Sequence, residues 1–217
     1  MRHKETIGMT WSAVTRMARR TCAAAAIAGA CGCGSSATPP STPTPAPMLR
    51  ADVTDPIGDT VPDARVPVPP DLVRATATVE NGNLTLVVSL APGTFDRQTT
   101  RVVALFDTDQ NPATGIRQQN GLGADFGLDF FPGAGRTTIV RADEPGCAAR
   151  QSCFVDAGSA SIAILSDGMQ AVVPLSAIGS ASGRLSFQMS SYVVVSPTAS
   201  VTFDFLPDVS LAPARVQ

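Results

Sequence analysis

The chain has 217 residues, a formal net charge of −2 and a single histidine, His3. Residues 21–217 contain no lysine and carry 11 arginines against 17 acidic residues, of which 15 are aspartate. This acidic balance, without a basic cluster, excludes nucleic acid as an expected partner. The lack of histidine after His3 excludes Ser-His-Asp catalysis, histidine-ligated zinc and histidine-ligated haem, so neither zinc nor haem is expected.

Residues 1–31 have the pattern of an export signal. Three arginines between residues 16 and 20 precede an apolar run, residues 21–30, that is too short to span a bilayer but fits a signal-peptide core. The run ends at Ala28-Gly29-Ala30-Cys31, which is similar to a bacterial lipobox, with Ala28 where such boxes usually have Leu. The similarity implies that Cys31 is lipidated and that the protein is anchored in the cell envelope. The alternative is ordinary cleavage after an A-x-A site, which predicts a soluble periplasmic or secreted protein.

Residues 32–50 are predicted to be a disordered linker. Five prolines lie among serine and threonine here, a composition that cannot bury apolar surface and favours an extended spacer. The linker also contains Cys33, for which the sequence assigns no role. The folded domain is therefore expected to comprise residues 51–217.

Within this domain, apolar and polar residues alternate with the period of two that is typical of β-strands. Two alternating runs surround Asn81-Gly82, the strongest local signal for a β-hairpin, and Ser166-Asp167-Gly168 predicts a second tight turn. Only Pro174–Ile178 suits a short helical turn. The predicted strands comprise residues 72–79, 84–90, 101–106, 124–131, 136–141, 161–165, 169–173, 185–195 and 201–205.

These eight or nine short strands, separated by Gly, Pro and Asp, predict an all-β fold, an antiparallel β-sandwich of jelly-roll-like form. No amphipathic stretch is long enough to cross over between parallel strands, which excludes a parallel α/β fold. Cys147 and Cys153 are separated by five residues, and we expect a disulfide that closes this short loop. Two thiolates without histidine do not complete a zinc site.

The segment between Phe106 and Ala124 interrupts the pattern of strands. Asp107, Asp109 and Asn111 stand at alternate positions, as oxygen ligands do in calcium loops, and Asp125 follows the segment. The segment is not an EF-hand, because proline and glutamine replace its turn glycine and its bidentate glutamate. We predict a structural calcium site formed by these four residues, with Asp129 on the same strand face as Asp125. The alternative is that the Asp and Asn side chains only cap local turns.

Several motifs occur in an order known from one group of proteins. They are Asp55-Pro-Ile-Gly-Asp59, the Asn81-Gly82 hairpin, Leu105-Phe-Asp107-Thr-Asp109-Gln-Asn111-Pro-Ala-Thr114-Gly115, Gly123-Ala-Asp125-Phe, Val172-Val-Pro174-Leu-Ser-Ala-Ile-Gly179 and Asp204-Phe-Leu-Pro207-Asp208. Over residues 52–208 the chain resembles the secreted DOMON-like β-sandwiches related to carbohydrate-binding module family nine. The resemblance implies a jelly-roll-like sandwich, often with structural calcium, that binds sugars or other envelope ligands without catalysis.

The chain departs from the sugar-binding members of that group in its aromatic residues. Those members clamp a terminal sugar between Trp rings, whereas the only Trp here is Trp11, in the predicted signal, and the only Tyr is Tyr192. Haem-binding relatives use His and Met as axial ligands, and no His follows His3. The resemblance therefore carries more weight for the fold than for the ligand.

Three functions remain open from the sequence. The first is an envelope-anchored, non-catalytic binding module with a glycan or another envelope ligand, which contacts the membrane only through its lipid anchor. The second is a passive structural or adhesion domain of the cell surface. The third is an Asp-based hydrolase: Asp156-Ala-Gly158-Ser-Ala160 resembles the Asp-Thr-Gly-Ser-Ala motif of aspartic peptidases, whose chemistry needs two close carboxylates. Asp156–Gly158 otherwise predicts a turn between two strands.

Overall fold

A computed structural model describes residues 48–147, 153–196 and 199–217. Within these ranges the chain is almost entirely β-structure, with one short α-helix (Glu144–Cys147) and two 3₁₀ turns (Pro132–Ala134 and Leu175–Ile178). The strands are β1 (Leu49–Thr54), β2 (Leu72–Glu80), β3 (Asn83–Leu90), β4 (Thr100–Asp107), β5 (Ile116–Arg117), β6 (Gly123–Ala124), β7 (Phe126–Phe131), β8 (Arg136–Ala142), β9 (Phe154–Leu165), β10 (Gly168–Pro174), β11 (Leu185–Ser196), β12 (Ala199–Leu206) and β13 (Ala214–Val216).

All strand pairs are antiparallel, and ten strands follow one another in the order β1-β2-β3-β10-β9-β8-β7-β4-β11-β12, with β13 paired to β11. The path forms two sheets because β9 passes from one to the other. Its first half pairs with β8, while residues 161–165 pair with β10. β1 also lies against β13, and β2 against β12, so the two sheets face each other. The predicted all-β antiparallel sandwich is confirmed.

The core lies between the sheets and follows from the alternation in the sequence. On β3, every second residue from Leu84 to Leu90 is buried, and the residues between them are partly exposed. Phe106 on β4 and Phe187 on β11 are directly opposite each other, and their ring centroids are 6.5 Å apart. Burial of such side chains stabilises the fold by about 1.5–3 kcal/mol for each large apolar residue.

Both predicted turns are present. Asn81 and Gly82 have φ angles of 49° and 76°, the left-handed pair that a two-residue type I′ hairpin requires, and they join β2 to β3. The second turn joins β9 to β10. The helical turn predicted after Pro174 is the 3₁₀ turn Leu175–Ile178.

The prediction of a turn at Asp156–Gly158 is wrong. These residues lie inside β9, where the register against β8 shifts between Ile139 and Val140. Asp156 accepts the backbone amide hydrogen of Gly158 at 2.9 Å, and Gly158 has a φ of 144°. The segment is therefore a β-bulge, which bends a strand near the point where it changes sheets.

The described part of the chain contains thirteen strands instead of eight or nine. The additional strands are β1 and three short ones, β5, β6 and β13. All described residues belong to one compact unit, in which β1 begins at Leu49, two residues before the predicted domain start. Cys147 and Cys153 lie at disulfide-bonding distance, with their Cα atoms 4.2 Å apart, as expected.

The predictions for residues 1–47 lie outside the described residues. These are the signal peptide, the lipidation of Cys31 and most of the linker. In the described ranges, no helix has the length and apolar character needed to cross a membrane.

Candidate functional site

Three of the four predicted ligands converge at the base of the loop that follows β4. Asp107 is the last residue of β4, Asp109 lies on the loop, and Asp125 lies between β6 and β7. One carboxylate oxygen from each lies within 4.8 Å of the other two. The sequence folds this way because β5 and β6 pair within the loop and return the chain to β7, where the amide of Asp125 donates to the carbonyl of Phe106 at 2.8 Å.

A glycine allows the close approach of the loop to Asp125. Gly115 has a φ of 66°, a left-handed conformation that L side chains rarely adopt. A Cβ atom at this position would lie 2.5 Å from the carbonyl oxygen of Ala124 and 2.8 Å from Oδ1 of Asp125. Only glycine therefore lets the loop pack against the acidic residues without displacing them.

The fourth predicted ligand, Asn111, contributes mainly through its backbone. Its amide hydrogen is shared by Oδ1 of Asp107 at 3.0 Å and Oδ1 of Asp109 at 2.8 Å. Its side-chain Oδ1 accepts the amide hydrogen of Ala113 at 3.1 Å, which is a local Asx turn. The side-chain amide oxygen of Asn111 is thus engaged within the loop. The segment therefore contains both the predicted convergence, for the three carboxylates, and the alternative, a turn capped by a side chain.

Two of the three carboxylates, those of Asp107 and Asp125, occupy an environment that disfavours their negative charge. Burial, followed by the neighbouring Asp109 and Asp125, raises the pKa of Asp107 to about 6. Burial also raises the pKa of Asp125, against the hydrogen bond from the amide of Thr108 at 3.0 Å. No arginine of the described segments forms an ion pair with any of the three. A bound cation would supply the missing positive charge.

Asp129 does not join this group. It lies on β7, and its carboxylate is bound by the guanidinium of Arg101 on β4. Strand periodicity alone could not reveal this partner, because Arg101 is 28 residues away in the sequence.

A cleft of about 350 Å³ adjoins the acidic group. Its polar wall is a row across three strands, in which Ser186 on β11 is paired with Asp107 on one side and with Arg215 on the other. Gln110 and Leu122 are among the residues that the loop adds to the lining, and Arg215 forms no ion pair with another described residue. The cleft has no aromatic lining residue, so it offers no flat ring on which a sugar could stack.

The structure also brings together aspartates that the sequence analysis did not assign to a site. Asp55, Asp59 and Asp208 form one group, and Asp59, Asp71 and Asp204 form a second, each with carboxylate oxygens within 4.8 Å of one another. The preference for aspartate over glutamate in residues 21–217 is one signal that could have indicated further acidic sites. The convergence itself depends on tertiary contacts between residues more than 130 positions apart.

Neither a scan against protein-family models nor a search of curated proteins finds a match to this chain. The DOMON-like resemblance is therefore a proposal that depends on the motifs and their order in the sequence.

Proposed function

We propose that this protein is a non-catalytic binding module of the bacterial cell envelope, in which calcium holds the loop 108–124 and a glycan binds in the adjoining cleft. The observation that carries the proposal is the convergence of Asp107, Asp109 and Asp125 within 4.8 Å beside that cleft. Calcium prefers oxygen ligands, and carboxylates are its commonest charged ligands in proteins.

The cleft offers the chemistry that a polar sugar needs. The guanidinium of Arg215, the hydroxyl of Ser186 and the amide of Gln110 can all form hydrogen bonds with ring hydroxyls or with the carboxylate of an acidic sugar. Asp107 belongs to both the acidic group and the cleft wall. Calcium at the acidic group would therefore fix one wall of the binding site and reduce the entropy cost of ligand binding.

The anchoring part of the proposal depends on the sequence of residues 1–31. A signal peptide that ends at Cys31, followed by a proline-rich spacer, would place the sandwich outside the cytoplasm and at a distance from the membrane. The disulfide-distance pair Cys147 and Cys153 supports this location, because disulfides persist in oxidising compartments.

The calcium step is tested with metal-stripped protein. Calcium that binds only the folded state raises the melting temperature, and the rise grows with calcium concentration. Asp109→Asn is the informative variant. The substitution removes one carboxylate charge at an exposed position, while the side-chain amide oxygen that it introduces can still accept a hydrogen bond from Thr114. Slower tryptic cleavage after Arg117, which lies in the loop, should accompany the rise in the wild type. Cleavage that calcium leaves unchanged would contradict the loop site.

The glycan step is tested with the full chain on an array of envelope and plant polysaccharides, in calcium and in chelator. We expect the wild-type protein to be retained on a glycan of the array in calcium, and we expect Arg215→Ala to lose this retention. Arg136→Ala is the matched control, because Arg136 is also exposed but lies outside the cleft. The absence of any retained glycan would favour a passive structural or adhesion domain.

A further inference from the structure

The long connection between β1 and β2 carries the second acidic centre. Residues 55–71 contain no regular element apart from one isolated bridge between Asp63 and Val66. Connections of this length in compact domains are usually functional or tied down. Asp55 and Asp59 lie at its start and Asp71 at its end, so any group that binds all three closes the connection on itself.

The C-terminal part of the sandwich supplies the other two carboxylates. Asp204 lies on β12 and Asp208 lies two residues after the end of that strand. Asp59 is common to both groups, since its carboxylate lies within 4.8 Å of Asp55 and Asp208 and also of Asp71 and Asp204. Two oxygens on opposite sides of a calcium ion, each about 2.4 Å from it, are about 4.8 Å apart. The spacing therefore suits calcium ligands.

Buried oxygens without a partner distinguish this centre from an ordinary acidic surface. Asp71 is only 4 % exposed; its Oδ2 accepts the amide hydrogen of Gly58 at 2.8 Å, but its Oδ1 is buried without a hydrogen-bond partner. Oδ2 of Asp55 is likewise buried and unpartnered. A carboxylate oxygen without a partner is costly to bury, and in native proteins such a group calls for a ligand.

The charges around this centre have the same sign. No arginine in the described ranges forms an ion pair with any of its five carboxylates. Burial and then the charges of Asp59, Asp208 and Asp71 raise the pKa of Asp55 to about 7, and burial raises that of Asp204 to about 7. A bound cation would supply the positive charge that no described arginine brings to this centre.

We propose that Asp55, Asp59, Asp71, Asp204 and Asp208 form a second calcium site, which ties the β1–β2 connection to β12. One side-chain and one backbone hydrogen bond already bring the two segments together. Oδ2 of Asp204 accepts the amide hydrogen of Leu72 at 2.6 Å, and the amide of Val61 donates to the carbonyl of Phe203 at 2.8 Å. Calcium would add the counter-charge that these contacts lack.

This site is separate from the loop site. Along β11, Ser186 is opposite Asp107 and Ser191 is opposite Asp204. Five residues of strand separate these positions by about 16 Å, at about 3.3 Å per residue. A substitution in one site is therefore expected to leave binding at the other unchanged.

Limited trypsin digestion of the full chain tests the proposal, because an exposed arginine lies in each segment. Arg65 is in the β1–β2 connection and Arg117 is in the loop of the first site. We expect calcium to slow cleavage after Arg65 at least fivefold in metal-stripped wild type and in Asp109→Asn, as followed by mass spectrometry of the fragments. Asp59→Asn should abolish this protection while keeping the protection of Arg117.

Asp59 is exposed, so its substitution by Asn is not expected to prevent folding, and Asp208→Asn provides a second variant from the C-terminal side. Native mass spectrometry in calcium should show one fewer ion in each of these variants than in wild type. The second site would be contradicted if calcium did not change the rate of cleavage after Arg65, or if calcium still slowed this cleavage in both variants. Failure of the loop site alone would instead appear as loss of calcium protection at Arg117 with Arg65 still protected.

Discussion

The guanidinium of Arg101 forms two hydrogen bonds of 2.6 Å with the carboxylate of Asp129 on the neighbouring strand. Asp129 is directly opposite Val103, so this pair is diagonal across β4 and β7. Such bidentate pairs are stronger than single hydrogen bonds, and this one is partly buried. The pair explains why Asp129 is not available to the acidic group at Asp107.

Asp129→Asn should destabilise the protein without changing its response to calcium. The substitution removes the charge that Arg101 binds, and we expect a loss of about 1 kcal/mol in the free energy of unfolding. Urea denaturation in calcium and in chelator measures both quantities. Asp52→Asn is the matched control, since Asp52 pairs with Arg74 at a more exposed position. This substitution should lower the free energy of unfolding by less. A calcium effect lost in Asp129→Asn would place this residue among the ligands.

Local patterns in the sequence predicted the strands and turns well, because each depends on a few consecutive residues. Alternation located nine strands, and Asn81-Gly82 located a type I′ turn. Asp156-Ala-Gly158 has the composition of a turn, yet here it forms a bulge, because β8 continues beside it and supplies hydrogen-bond partners. A neighbouring strand decides whether this segment forms a turn or a bulge, and the composition of the segment does not reveal that strand.

The acidic residues were harder to assign for the same reason. Asp107, Asp109 and Asp125 were predictable as a group because the segment that joins them is short. The five aspartates of the second centre come from opposite ends of the domain, and Asp71 to Asp204 spans 133 positions. Their convergence depends on β2 lying against β12 when the two sheets close, a contact that no local pattern encodes.

Gly115→Ala should be more destabilising than Gly121→Ala. Both glycines have a positive φ, so each substitution introduces backbone strain of about 1 kcal/mol. At Gly115 the new Cβ would also clash with the carbonyl of Ala124 and with Oδ1 of Asp125, whereas nothing lies within 4 Å at Gly121. Thermal melts should show the larger decrease in melting temperature in Gly115→Ala, together with a smaller increase in melting temperature when calcium is added. Equal losses in the two variants would mean that the close approach at Gly115 is relaxed in solution.

Removal of the disulfide should lower stability modestly. A bridge between Cys147 and Cys153, which lie at disulfide-bonding distance, would close a short loop, for which the chain-entropy model gives about 2 kcal/mol. The double variant Cys147→Ser/Cys153→Ser should show this loss in urea denaturation, and added reductant should destabilise the wild type but not the variant. Labelling of both cysteines by a thiol reagent in the untreated exported protein would show that the bridge does not form.

The anchor is tested by Cys31→Ser in a bacterial host. If Cys31 is lipidated, the wild type should sediment with membranes, and the mature N-terminus should carry the mass of the acyl chains. The variant should lose the acyl mass and be released from the membranes by a salt wash. A wild-type N-terminus that begins at Cys31 without added mass would favour ordinary cleavage and a soluble exported protein.

The metal-free protein should become less stable as the pH rises from about 4 to about 7. The pKa values of Asp55 and Asp204 are about 7 in the folded chain, against 3.8 as their ordinary value, because both groups are buried among carboxylates. In this range the folded state binds more protons than the unfolded state. The stability that these two groups contribute is therefore fully present below pH 4 and is lost as the pH rises through 7.

Thermal melts in chelator at half-unit pH steps measure this trend. Histidine does not obscure it, because His3 is the only one in the chain. Asp55→Asn should flatten the curve, since the amide is neutral in both states. Calcium, which binds the charged carboxylates, should raise the melting temperature more at pH 7 than at pH 5. A melting temperature in chelator that stays level or rises from pH 4 to pH 7 would show that these carboxylates are already ionised in the folded protein.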